Sequence, residues 1–501
     1  MAFWLSRQAQ LAPSREALSI EGSTFTFQDL DDRASRCAGA MTAMGVGPGD
    51  RVGVLLHNGV EYVDVLQASA RIGAIVVPLS TRLAPAELEF IANDAGIRVL
   101  IYDGDELERV KAFRPGTTIE SALAVGAGDD PAYESALRSA APMSSFADVS
   151  WDDVLSIFYT SGTTGSPKGA MLTHGNFYWT NLNMVLALDL QRDERSLVAL
   201  PMFHLGGWNV NTLSVWWKGG RVILERSFDP ERVLKRIEEM RVTSVMGVPT
   251  MFRMLAEHPS FDDTDLSSLR VCACGGAPLP EALIRRWHER GVRLLQGYGL
   301  TEAAPNCLLV PPEDAERKVG AAGLPYFFAD VRVFDDRDRD VGPGGTGEIV
   351  VRGPSVMKGY WRQPEATAKA LRAGWLRTGD IGRVDEEGFI FVVDRLKDMF
   401  VSGGENVYPA EVENVLAAHP AVLEAAVIAV PDDRWGETGR ALIVLRPDLR
   451  ATSEELIDFC ARRLAGFKVP RSVVFVDEAL PRNATGKLLK QELAARFAAP
   501  S

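Results

Sequence analysis

Residues 157–169 read Ile157-Phe158-Tyr159-Thr160-Ser161-Gly162-Thr163-Thr164-Gly165-Ser166-Pro167-Lys168-Gly169. An apolar strand end runs into a segment of hydroxyl residues, glycines and one lysine. Glycine lets the backbone turn sharply and aim several N–H groups at one anion. The hydroxyls add short donors and Lys168 adds a positive charge, so the segment suits a polyphosphate. It is not a Walker A loop: Lys168 follows Pro167 and precedes Gly169, where GxxxxGK[ST] is required. A glycine/serine surface turn is the plainer reading of such a composition. The strand before it and the Pro-Lys-Gly ending favour the anion loop.

Outward from this stretch, the pattern alternates. Thr26 is placed to cap a helix through Leu30, Ala34 and Met41 that stops at the glycines of residues 45–49. Residues 51–57, 74–79 and 99–102 read as apolar strands, with a helix through Tyr62 and Leu66 between the first two. Such alternation implies parallel sheet covered on both faces. Residues 126–148, small and polar, read as a surface connection. Residues 331–334 and 347–352 read as antiparallel strands beside a turn at 342–345. The C-terminal part reads as a separate α+β unit starting with a strand at 389–393, entered through a polar hinge at 394–397.

The chain has 501 residues, 46% hydrophobic and 24% charged. One core rarely grows past about 250–300 residues, so at least two domains are expected. Wholesale disorder and collagen-like structure are excluded. The net charge of −13 makes non-specific nucleic-acid binding unfavourable, while local anion binding stays open. Cys37, Cys272, Cys274, Cys307 and Cys460 are odd in number and lack CxxC pairing. They read as structural residues in a reduced, cytoplasmic setting. No stretch approaches the roughly 18 apolar residues of a membrane span, and no continuous apolar run near the start suggests a signal peptide.

The 159–169 stretch resembles the phosphate loop of the adenylate-forming superfamily, which includes acyl-CoA synthetases, aryl-CoA ligases, luciferases and peptide-synthetase adenylation domains. The resemblance runs from about Ala9 to Leu493 and recurs at separate motifs in the family's order. It implies an α/β fold: a large N-terminal domain of α/β layers with a distorted β-barrel, residues 1–394, and a small mobile α+β C-terminal domain, residues 395–501. In the loop it implies ATP contacts at Thr160, Ser161, Gly162, Thr163, Thr164, Gly165 and Lys168. Gly275-Gly276-Ala277-Pro278 resembles the adenine-binding turn. Gly297-Tyr298-Gly299-Leu300-Thr301-Glu302 contains the family's YGxTE pattern. There Tyr298 is implied to stack on adenine, Thr301 to bond the α-phosphate, and Glu302 with Thr160 to hold Mg2+. A hard cation needs only a carboxylate besides phosphate oxygens and water. Asp380 resembles the ribose-binding carboxylate. Arg395 is implied to lie near the ribose and Lys397 at the domain pivot. Ser402, Gly403 and Gly404 resemble the loop lining the coenzyme A tunnel, and Lys487 in Pro-Arg-Asn-Ala-Thr-Gly-Lys resembles the catalytic lysine.

The implied activity is acid:CoA ligation with ATP, Mg2+ and coenzyme A. A carboxylate attacks the α-phosphate, giving acyl-AMP and pyrophosphate; a thiol then displaces AMP. Two anions meet in the first step, so the site must neutralise charge. The family turns its small domain between the steps. Residues 202–208 fall where the family builds its acyl pocket, with His204 implied beside the acyl carboxylate. Peptide-synthetase relatives have Asp at that position, so His204 disfavours an amino acid. Malonate-specific relatives have Arg where this chain has Gly297. Gly297, Ala303 and Ala304 are small, and Gly206 and Gly207 add room. Trp208 matches an indole gate of some fatty-acid relatives, although packing is a tryptophan's ordinary role.

The expected acid is a medium- or long-chain fatty acid. The alternatives are an aryl acid, succinylbenzoate or methylthio-propionate, or a stand-alone adenylation enzyme loading a carrier protein. A luciferase-like oxygenase and an inactive binding protein are further readings; the intact Lys168, Glu302, Asp380, Arg395 and Lys487 oppose the last. The expected partners are the acid, ATP and coenzyme A, without nucleic acid or membrane span, and a homodimer is left open. Lys487→Ala is expected to abolish adenylation while sparing thioester formation from supplied acyl-adenylate. Equal loss of both half-reactions would refute the role.

Overall fold

The computed structural model describes residues 3–160, 167–277, 279–395, 398–402, 405–432, 434–482 and 488–498, apart from the side chains of Phe3, Arg395 and Asn406. Three sheets share one continuous core in the larger part. The first has seven strands in the order Gly359–Tyr360, Lys168–Thr173, Val154–Thr160, Ile75–Pro78, Arg51–Leu55, Ile97–Asp103 and Ser121–Val125. It is parallel except at the two steps nearest Gly359–Tyr360. The second has nine strands, with Val271–Cys274 between Leu294–Tyr298 and Ser244–Gly247. The third is an antiparallel sheet built on Asp330–Phe334, Thr346–Arg352 and Trp375–Val384.

Local chemistry explains the helices between the sheets. Thr26 accepts from the Asp29 N–H, and the Asp29 carboxylate accepts from the Thr26 N–H. This reciprocal cap starts the helix Phe27–Ala43. Its buried face carries Leu30, Ala34, Cys37 and Met41, at three- and four-residue intervals. Val60–Ile72 packs beside it and ends at Gly73 in the left-handed conformation. Cys272 and Cys274 share one face of their strand and are buried, as their alternation predicts.

Three expectations change. The strand expected at 389–393 is Ile390–Arg395, and it pairs with Trp375–Val384 in the third sheet rather than opening the C-terminal unit. Apolar alternation identifies a strand but not its partner. The C-terminal sheet instead begins with the hairpin strands Phe400–Ser402 and Glu405–Val407, which the neighbouring glycines had masked as loop. It continues with Gly436–Leu445, Val422–Asp432 and Ser472–Phe475. Residues 126–148 are also more than a connection.

They hold the helix Tyr133–Ser139, pinned by a buried network. Tyr133 donates to Asp64 Oδ2 at 3.0 Å, and Arg33 bridges Asp64 and Glu134, both at 2.7 Å. The Asp64 side chain is fully buried, so each lost donor is costly, whereas that of Glu134 is 46% exposed. Tyr133→Phe is expected to lower the unfolding free energy by about 1–3 kcal/mol, read as a lower urea midpoint at unchanged slope. Glu134→Gln should cost less than about 1 kcal/mol.

Candidate functional site

The phosphate-loop candidate is the tip of a hairpin. Val154–Thr160 pairs antiparallel with Lys168–Thr173, so that Thr160 stands opposite Lys168. Ser161, Gly162, Thr163, Thr164 and Gly165 lie outside the described residues, but both stems are placed. The stems are braced from outside: Tyr159 donates to Asp94 Oδ2 at 2.5 Å, and the Trp361 N–H donates to Gly169 O at 2.7 Å.

Glu302 reaches this hairpin from the second sheet. It sits in the 3-10 turn Thr301–Ala303, just beyond the strand Leu294–Tyr298. Thr160 Oγ1 donates to Glu302 Oε1 at 3.2 Å, and Tyr360 OH donates to the same oxygen at 3.0 Å. Among the described residues neither bond uses Oε2. The Lys168 ammonium lies 5.3 Å from the centre of the Tyr360 ring, a cation–π distance. The expected cation pair, Thr160 and Glu302, is therefore brought together.

A second convergence lies at the end of the same strand. Tyr298 OH donates to Asp380 Oδ2 at 2.7 Å, and Asp380 is 8% exposed. Burial, then the Asp380 carboxylate, push the Tyr298 phenol well above its ordinary range, so it stays a donor. In the third sheet Asp380 stands opposite Arg395, whose side chain is outside the described residues. Gly275, Gly276 and Ala277 follow the strand Val271–Cys274, with Gly276 at φ +82°. A Cβ on Gly275 would meet Gly297 O at 3.2 Å, so this turn lies against the strand that ends at Tyr298.

The motif's far side is held from below. Asn209 Nδ2 donates to Ala304 O at 3.2 Å, and Asn306 Nδ2 donates to Asn209 O at 3.3 Å. Asn209 belongs to a π-helical turn, Gly206–Val210, a form enriched at functional sites. His204 precedes that turn, its ring edge-on to Phe203 at 4.6 Å. Trp208 is a core residue, 1% exposed, with its indole N–H donated to Met202 O at 2.6 Å. Ala303 is fully buried.

Ser402 is buried in the C-terminal sheet, opposite Glu405 and Gly436. Pro278, Lys397, Gly403, Gly404 and Lys487 lie outside the described residues. The sequence reading missed Tyr360. It stands 58 positions from Glu302, and no local pattern announces the bond.

The model of the "AMP-binding enzyme" family matches residues 5–361, and that of the "AMP-binding enzyme C-terminal domain" matches residues 411–487. The chain belongs to the AMP-binding enzyme family. This AMP-binding enzyme is 47% identical to a feruloyl-CoA synthase of Amycolatopsis sp, over 99% of the chain and 98% of the relative. It is 39% identical to the long-chain-fatty-acid–CoA ligase FadD13 of Mycobacterium tuberculosis, over 99% and 98% of the two chains. Among solved structures it is similar to o-succinylbenzoate coenzyme A synthetase of Bacillus subtilis in complex with ATP and magnesium ion. The TM-score is 0.88 at 35% identity, covering 98% of each chain. The AMP-binding enzyme is thus an acid–thiol ligase that uses ATP, Mg2+ and coenzyme A. Its residues fit the cation: a carboxylate oxygen left open at Glu302, beside the Thr160 hydroxyl, is the donor set a hard ion takes.

Gly299 is fixed by space, since a Cβ there would lie 1.3 Å from Pro305 O. At Gly297 the closest atom would be Leu308 O at 3.5 Å. Gly299→Ala must therefore move Tyr298 and Thr301, and is expected to cut ATP-dependent AMP release about a hundredfold. Gly297→Ala should leave the backbone in place and adenylation with the best acid within about threefold of wild type.

Proposed function

We propose that this enzyme joins an aromatic acid of the hydroxycinnamate class to coenzyme A through an acyl-adenylate. The observation that carries the reading is the 47% identity, over nearly the full length, to a feruloyl-CoA synthase. Packing around residues 202–208 agrees with it. A gate for a long alkyl chain needs an indole free to swing, and Trp208 is enclosed in core and bonded to Met202. The medium- or long-chain fatty acid expected from sequence becomes the second reading, favoured by the 39% identity to a long-chain ligase.

In this reading the acid lies beside His204, Gly297 and Ala303. Tyr298 covers the adenine face, and Asp380 accepts the ribose hydroxyls with Arg395 beside it. Thr301, Lys168 and the 161–165 loop hold the phosphates, and Lys487 meets the charge that develops at the α-phosphate. Glu302 and Thr160 would hold Mg2+, which supplies charge neutralisation on the phosphate oxygens. The large domain takes residues 1–394 and the small one 395–501, pivoting at Lys397. That turn withdraws Lys487 and brings Ser402, Gly403 and Gly404 to the thiol path. The five cysteines are free and buried, which supports a reducing compartment.

The test is AMP release with ATP and coenzyme A across hydroxycinnamic, benzoic, succinylbenzoic and fatty acids. A single methylene is worth only about 10–200-fold in an apolar pocket. The expected kcat/KM for a hydroxycinnamate exceeds that for any medium- or long-chain fatty acid at least about tenfold. The opposite order would establish the second reading. AMP release that needs a carrier protein in place of coenzyme A would overturn both.

A further inference from the structure

Lys168 and Glu302 carry opposite charges and share two neighbours. Thr160 stands opposite Lys168 in the hairpin and bonds Glu302. Tyr360 bonds Glu302 through its hydroxyl and faces Lys168 with its ring. A direct ion pair between them would be favourable, yet it would turn the ammonium away from phosphate and occupy the carboxylate oxygen a cation needs. The Tyr360 side chain takes up both contacts instead.

Its backbone is fixed on every side. Gly359 and Tyr360 pair antiparallel with Met171 and Ala170, and the Tyr360 N–H donates to Thr367 Oγ1 at 2.8 Å. The preceding Met357 N–H donates to Glu302 O at 2.8 Å, so one short segment holds the main chain and the carboxylate of the same glutamate. Asn176 Nδ2 donates to Pro354 O and Val356 O, both at 2.8 Å, anchoring the segment's start. Gly359, at φ +143°, lies where a Cβ would be 2.6 Å from Thr367 Cγ2.

We propose that Tyr360 is a positioning residue that keeps Glu302 and Lys168 apart and aimed, the first at the divalent cation and the second at the ATP phosphates. With both Thr160 and Tyr360 donating to Oε1, Oε2 would be the oxygen offered to the cation. The neutral phenol does this without cancelling either charge. The proposal rests on the reading of Glu302 as the cation's carboxylate.

The experiment titrates the full-length enzyme with a non-hydrolysable ATP analogue by calorimetry at a series of Mg2+ concentrations, for wild type, Tyr360→Phe, Tyr360→Leu and Glu302→Gln. Tyr360→Phe keeps the ring and loses one hydrogen bond to a charged group. It should raise the Mg2+ concentration for half-maximal binding about tenfold, with analogue affinity at saturating Mg2+ and thermal midpoint near wild type. Tyr360→Leu frees Lys168 to pair with Glu302 and should weaken analogue binding even at saturating Mg2+. If Glu302→Gln shifts the Mg2+ dependence and Tyr360→Phe does not, the proposal is overturned alone. If Glu302→Gln leaves the dependence unchanged, the reading of Glu302 fails and the proposal with it.

Discussion

The rest of this structure depends on the rigid pairing that holds Thr160 opposite Lys168, at the stems of the loop proposed to take the phosphates. The rigidity comes from reversing direction inside a parallel sheet. Val154–Thr160 runs parallel to Ile75–Pro78, but its other neighbour, Lys168–Thr173, is antiparallel. Antiparallel neighbours can be joined by a short connection, whereas parallel ones need a crossover, so the reversal is what places Thr160 and Lys168 face to face. The next strand, Gly359–Tyr360, is also antiparallel and lies in the chain between two strands of the third sheet. The segment that closes this sheet's edge is therefore the one that reaches across to Glu302 in the second sheet.

The electrostatics follow the same geometry. In a chain of net charge −13, positive charge at the site has to be local. Among the described residues, two carboxylates of the candidate site are oriented by phenols. Tyr298 serves Asp380 and Tyr360 serves Glu302, at 2.7 and 3.0 Å. Burial raises both phenols, so neither gives up its proton to the acid beside it. An arginine in either place would bond the carboxylate more strongly, and would leave less negative charge for a ribose hydroxyl or a metal ion to use. The strong ion pairs lie elsewhere, as at Arg33 and Asp64, where their task is to hold a helix down.

What the sequence made legible was whatever rests on local order. The cap at Thr26, the buried face of Phe27–Ala43 and the strand before the phosphate loop each depend on residues a few positions apart. The pairing of Thr160 with Glu302 was legible only through the motif resemblance, since nothing in residues 160–302 encodes the contact locally. Tyr360 was not legible, because its role depends on an edge strand bringing it beside two residues distant in sequence. The helix at Tyr133–Ser139 was hidden for a different reason. Its surroundings are rich in small and polar residues, and its two buried anchors, Tyr133 and Leu137, are too few to make a periodic pattern. The misassigned partner of Ile390–Arg395 is the ordinary blindness of strand patterns to register.

The place where the third sheet ends bears on the proposed turning of the smaller domain. The C-terminal sheet is packed on both faces by its own residues. Leu416 and Leu456 lie with Val427 on one face, and Leu480 and Leu493 lie with Ile428 on the other. Among the described residues no apolar cluster draws from both sides of residue 398. The contacts across it include polar ones: the Ala410 N–H donates to Asp394 Oδ2 at 2.8 Å, and the exposed Arg446 and Glu257 lie 3.4 Å apart. Such groups exchange protein partners for water at little net cost. A shared apolar core would have to be torn open for the smaller part to turn, at about 25 cal/mol for each Å² exposed. Self-contained packing beyond Phe400 removes that barrier. The extra strand Ile390–Arg395 belongs to the larger part for the same reason: it keeps Asp380 and Arg395 in one ladder, so the proposed ribose site stays whole while its neighbour moves.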